Sequence, residues 1–176
     1  MRTHTRFASL VSSLFVVLCF GGVRANVQAH RAFKPVAPAE LPGQPPFTGR
    51  SSGVVTAVGF DPAAGIAYSR VEGVGQATLL GRFTVIGDVA VDVATGVAHG
   101  TWTLTAANGD EISLSMDGFG IDANHGFGAF QIVGGTGRFQ GATGNYDQII
   151  TFAVPLGTSA VIDYTDKFGE TISPGA

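Results

Sequence analysis

Residues 83–93 set the period of most of this chain. Phe83, Val85, Val89, Val91 and Val93 fall on one side of an extended segment, with Arg82, Thr84, Asp88 and Asp92 on the other. Successive side chains of a strand point to opposite faces, so a period of two marks a strand with one apolar side. The alternation returns at residues 97–107, where Trp102 and Leu104 oppose His99, Thr101, Thr103 and Thr105. It returns again at 111–119, where Ile112, Leu114 and Met116 oppose Glu111, Ser113, Ser115 and Asp117. From residue 50 onward no helical stripe of useful length interrupts this pattern, which makes the domain all-β.

Between these runs the chain carries turn chemistry: Asp61-Pro62-Ala63-Ala64-Gly65, Ala94-Thr95-Gly96 and Asn108-Gly109, the last being the strongest short hairpin signal. Glycine makes up 26 of 176 residues, roughly double ordinary usage. It follows neither a triplet period nor a Gly/Ser tract, so collagen and flexible-linker readings fail and the glycines are expected at turns and bulges. Further strands are expected at 53–60, 66–78, 127–133, 146–154 and 159–167, making about eight in all. Consecutive antiparallel strands with one apolar face each must stack or close, and closure leaves no exposed edge. Eight strands suit a small antiparallel β-barrel whose interior is filled or holds one small ligand.

Upstream, residues 1–25 read as a secretory signal. Arg2 and Arg6 precede an apolar stretch at 10–20, and Val23-Arg24-Ala25 places small residues before a cut. The stretch is shorter than the roughly 18–20 residues needed to span a bilayer. Cleavage is expected after Ala25, with Ala29 as the alternative, giving a secreted or periplasmic protein. Cys19, the one cysteine, would leave with the signal, so stability must come from packing and strand pairing. Cleavage removes Arg2, Arg6 and Arg24 and no acid, leaving seven basic against thirteen acidic residues, a net charge of −6. That disfavours nucleic acid and anionic membranes as partners. Residues 26–49 hold five of the eight prolines and no apolar periodicity, and read as a disordered, extended leader. Phe33 and Phe47 are the leader residues able to dock on a domain spanning 50–176.

The most specific stretch is 132–147, IVGGTGRFQGATGNYD. Gly134, Gly135, Gly137, Gly141 and Gly144 permit close backbone approach, and Phe139 is the large apolar residue among them, suited to anchoring the loop in a barrel end. Gly134-Gly135-Thr136-Gly137, then Phe139, then Gly144 opening the next strand, resembles the allene oxide cyclase and dirigent-protein superfamily. Residues 76–84 with Ala142-Thr143-Gly144 are also similar to small exported bacterial proteins of this barrel type without assigned function. The resemblance covers about sixteen residues specifically and the rest only in architecture. It implies an eight-stranded antiparallel barrel of calycin type, often trimeric in plant members, with a mostly apolar cavity and no cofactor. The motif is structural in that superfamily, so it brings a fold and no catalytic residues.

Other chemistry finds little support. His30, His99 and His125 lack metal spacing, and no Gly-x-Ser-x-Gly elbow is present. The 134–144 loop lacks the Gly-Lys-Ser/Thr ending of a phosphate loop and precedes a strand. Asp122-Ala123-Asn124 is too short for a calcium loop, and Asp110, Glu111, Asp117, Asp122 and Asp147 sit beside turns where acids are ordinarily solvated. Trp102, Leu104, Met116 and Tyr146, on expected inward faces, are candidates for a cavity wall or for plain core, with Gln131 a polar contact if its face turns inward.

Three functions fit: a module binding an apolar small molecule or an extracytoplasmic partner, a cofactor-independent cyclase or isomerase like those the resemblance implies, or a structural or adhesive protein. An interior of roughly 300 Å3 or more with converging polar groups, for instance Tyr68, Arg82 or Asp117, would favour the enzyme. Apolar Val and Ile positions on the outside of strand 83–93 would favour a homotrimer.

Overall fold

The computed structural model describes residues 47–169. The segments expected to form a signal and, before Phe47, a leader, including Phe33, lie outside the described residues. Eight strands follow in order: β1 Gly49–Asp61, β2 Ile66–Ala77, β3 Gly81–Asp92, β4 Val97–Ala106, β5 Glu111–Gly120, β6 His125–Gly135, β7 Gly144–Phe152 and β8 Val161–Phe168. Each pairs antiparallel with the next, and β1 pairs with β8 from Gly49↔Phe168 to Thr56↔Val161, closing the barrel.

The expected faces of β3, β4 and β5 hold. Phe83, Val85, Trp102, Leu104, Ile112, Leu114 and Met116 are buried. Arg82, Thr84, Asp88, His99, Thr101 and Asp117 are exposed. An apolar interior with charged residues outside is the reverse of a membrane-spanning barrel. Val85, Val89 and Val91 all turn inward, leaving Ile86, 43% exposed, as the exposed apolar residue of β3. The apolar outer face anticipated on that strand is therefore not built by its valines.

β1 begins at Gly49, four residues before the apolar pattern starts. Ser51, which faces the interior on the parity of Val55, hides the alternation there. A register shift between Ala57 and Gly59 extrudes Val58, 61% exposed. Gly65, Gly96 and Gly109 adopt the positive φ that their turns need.

A further group of glycines lies inside the wall, where only turns and bulges were expected. A Cβ on Gly87 would come within 2.6 Å of the Trp102 ring, and one on Gly73 within 2.5 Å of the Tyr164 hydroxyl. These positions are bare because large side chains from neighbouring strands lie flat across them.

One end of the barrel is closed. The 3-10 turn Gly137–Phe139 follows β6, and Phe139 packs half-buried against the core. Asp110 takes part in holding the turn: its Oδ2 accepts the Arg138 backbone N–H at 3.3 Å, and Thr136 Oγ1 accepts the Glu111 N–H at 3.0 Å. Phe47 enters the same end with ring centroids 5.3 Å from Tyr146 and 5.4 Å from Phe168, so packing extends past the expected boundary at residue 50. Phe130 stacks on Tyr146 at 5.1 Å and meets Trp102 edge-on at 5.3 Å. Aromatic contacts of this kind add about 0.5–1.5 kcal/mol each beyond area burial.

Candidate functional site

The opposite end is hollow. Around its interior wall the inward positions are small or short: Ala57, Ala67, Ser69, Val89, Val91, Ala98 and Gly100. Ala57, Ser69, Val89 and Gly100 are direct cross-strand neighbours on β1 to β4. The volume that Phe, Tyr and Leu occupy in the closed half is left empty here, as a cavity of about 490 Å3.

Val71, Trp102, Met116 and Tyr164 form its floor. Val55, Ile150, Phe152 and Ile162 line the sides, and Leu156 from the β7–β8 loop lies at the mouth. That loop is held by Leu156 N–H donating to Ala123 O at 2.8 Å and Asn124 Nδ2 donating to Phe152 O at 3.1 Å. Among the described residues no charged side chain lines the cavity.

Its polar side chains are few. Ser159 Oγ accepts the Val161 N–H at 3.3 Å. Tyr68, 42% exposed, stands at the rim. Ser69 has no side-chain hydrogen-bond partner among the described residues. Trp102 Nε1 is enclosed and likewise without a partner. It lies 3.4 Å from where a Gly100 Cβ would stand. A buried donor left unpaired costs about 1–3 kcal/mol.

Beneath the floor is a network that the sequence patterns did not reveal. Asp166 on β8 faces inward between Tyr164 and Phe168 and is 5% exposed. Its Oδ1 accepts the Ser51 N–H at 2.7 Å, while Oδ2 accepts the Ser51 hydroxyl at 2.5 Å and Gln148 Nε2 at 2.6 Å. With the Ser51 proton committed to Asp166, the Tyr164 hydroxyl, 3.4 Å from Ser51 Oγ, donates to that oxygen. Burial pushes the Asp166 carboxyl up from its usual range, opposed by the Ser51 hydrogen bonds. Burial also raises the Tyr164 phenol to about 12, so it stays neutral. The parity Ile162, Tyr164, Asp166, Phe168 could have identified this acid as inward-facing; the Ser51 side lay before the expected start of β1.

Of the candidate cavity residues, Trp102 and Met116 line this cavity. Leu104 and Tyr146 do not: both are buried in the closed half, where the taper of core side chains leaves no space. Gln131 is exposed on the outside, because Phe130 takes the inward parity of β6. Gly134 and Gly135 end β6, Gly137 and Phe139 belong to the 3-10 turn, and Gly144 opens β7. Arg82 and Asp117 point outward and do not converge on the interior.

The histidines within the described residues pair outside the cavity. His99 Nδ1 lies 2.5 Å from Asp117 Oδ1 across β4 and β5, and His125 lies 2.8 Å from Asp122. The Asn124 backbone N–H, followed by His125, holds the exposed Asp122 carboxyl below its usual range. No group of three or more potential metal ligands occurs among the described residues, nor any helix long and apolar enough to cross a membrane. Comparison of the chain with protein-family models, with curated proteins and with solved structures finds no match.

Proposed function

We propose that this protein is an exported binding module that holds a neutral, apolar small molecule in the open half of its barrel. The observation that carries the reading is the cavity of about 490 Å3, with no charged lining residue among the described residues. Ligand pockets are typically about 300–1,000 Å3 and mostly apolar, with a few placed polar groups. At the ~30 Å3 that a water-sized group occupies in a liquid, such a space takes on the order of 15 non-hydrogen atoms. Export rests on residues 1–25, and the barrel-cyclase kinship on the 132–147 motif; both belong to this proposal.

A cofactor-independent cyclase or isomerase would use the same chamber to fold a reactive substrate. Binding is favoured over catalysis because Arg82 and Asp117 face away, and the Asp166 network spends its hydrogen bonds on itself below the floor. Trp102, the single tryptophan of the chain, makes the test direct. Titration with an apolar probe should shift Trp102 emission saturably, and native mass spectrometry of protein from its own host should retain a small apolar adduct. No saturable shift and no adduct would sink the reading; turnover of a polyene or epoxide substrate would replace it with the cyclase.

A further inference from the structure

The cavity wall is mostly apolar, with Tyr68, Ser69, Ser159 and Tyr164 as its hydroxyl-bearing residues. Ala57, Ser69, Val89 and Gly100 form a continuous cross-strand rung around β1 to β4. The Ser69 hydroxyl on this rung has no hydrogen-bond partner among the described residues; the Trp102 indole N–H, also without a partner, lies beside Gly100 but is enclosed. Of the other lining hydroxyls, Tyr164 is engaged with Ser51, Ser159 accepts the Val161 N–H beside the mouth, and Tyr68 stands at the exposed rim. Space alone does not require a hydroxyl at 69, since Ala57 and Ala98 keep the same chamber open without one. The Ser69 hydroxyl faces an open, mostly apolar space with no protein partner, so it is free to pair with a ligand oxygen.

We propose that Ser69 is the specificity-determining residue of the cavity, and that the ligand is an otherwise apolar molecule carrying one hydrogen-bonding oxygen, an alcohol in its simplest form, set against this rung. The inference rests on the cavity being a binding site and adds the chemical class of what it takes. Ser69 can donate to the oxygen or accept from its proton. The rest of the molecule lies against Val55, Val91, Ile150, Phe152 and Ile162.

The test compares decan-1-ol with decane, a matched pair differing by the hydroxyl, followed by Trp102 emission in the purified protein and in Ser69→Ala and Ser69→Thr. Wild type should bind the alcohol more tightly than the alkane. Ser69→Ala should weaken the alcohol by about fivefold to tenfold, the size of one net hydrogen bond, and leave the alkane within about twofold. Ser69→Thr, which keeps the hydroxyl on a residue suited to a strand, should retain the alcohol preference and shows that loss in the alanine variant is not a folding defect. Equal effects of Ser69→Ala on both probes, or loss of preference in Ser69→Thr, would overturn the anchor while leaving the cavity as a binding site. Absence of binding by either probe to wild type would remove both proposals together.

Discussion

The two halves of this barrel share one antiparallel closed sheet and differ in what their inward positions carry. Toward the 134–144 turn, Phe83, Phe130, Tyr146, Phe168 and Leu104 meet at the axis with Phe47 seated among them. Toward the other end β1 to β4 offer Ala57, Ala67, Ser69, Val91 and Ala98, and a cavity is left. A sheet fixes where side chains point, while their summed volume decides whether the enclosed space is core or cavity. One half is thus built for stability and the other has given up packing to keep a space.

The strongest way to break this contrast is Phe130→Ala. Phe130 is 1% exposed and sits between Tyr146 and Trp102; truncation should cost about 3–5 kcal/mol, read as a lower urea midpoint at unchanged slope. A cost below about 1 kcal/mol would mean that the closed half is not a packed core.

Gly87→Ala should come next. The added Cβ meets the Trp102 ring at 2.6 Å, so the floor of the cavity must move, at about 1–3 kcal/mol and with a change in Trp102 emission without ligand. Unchanged emission and stability would show that the floor is looser than the geometry states.

The polar network between the halves gives a pH signature. Burial raises the Asp166 pKa in the folded state. Such a group contributes its full stability below its unfolded pKa and loses it as pH rises through the folded value. From about pH 4 upward, wild type should therefore lose stability relative to Asp166→Asn, in which no charge is buried. A difference between the two urea midpoints that stays flat with pH would contradict the raised pKa.

The smallest effect on stability belongs to the open half, and it is the sharpest test of the comparison. Ala98→Leu adds apolar volume where space is available, so the midpoint should move by less than about 1 kcal/mol in either direction, while apolar-probe binding at Trp102 falls at least tenfold. A penalty as large as that of Phe130→Ala would mean that the second half is as tightly packed as the first.

Much of the architecture is legible before any coordinates. The faces of β3, β4 and β5 follow from alternating residues, and Gly65, Gly96 and Gly109 mark their turns because each needs positive φ. The site is less legible. Trp102 and Met116 were identifiable as inward, yet nothing local separates them from Leu104 and Tyr146, which share their parity and lie in solid core. Gln131 could be given either face until the pairing of Met116 with Phe130 fixed the parity of β6. Ser51 and Asp166 are 115 residues apart in sequence, and their bond exists only because β1 meets β8. Ser69 reads as one more small residue in a glycine-rich strand.

The sequence alone determined the period, the turns and the all-β class, because those depend on neighbours a few residues apart. Only the tertiary structure decided that the sheet closes, that one half is filled and the other hollow, and that Ser69 faces the space. Closure brings side chains from all eight strands to one axis, and the volume left over is a property of their sum that no single strand carries.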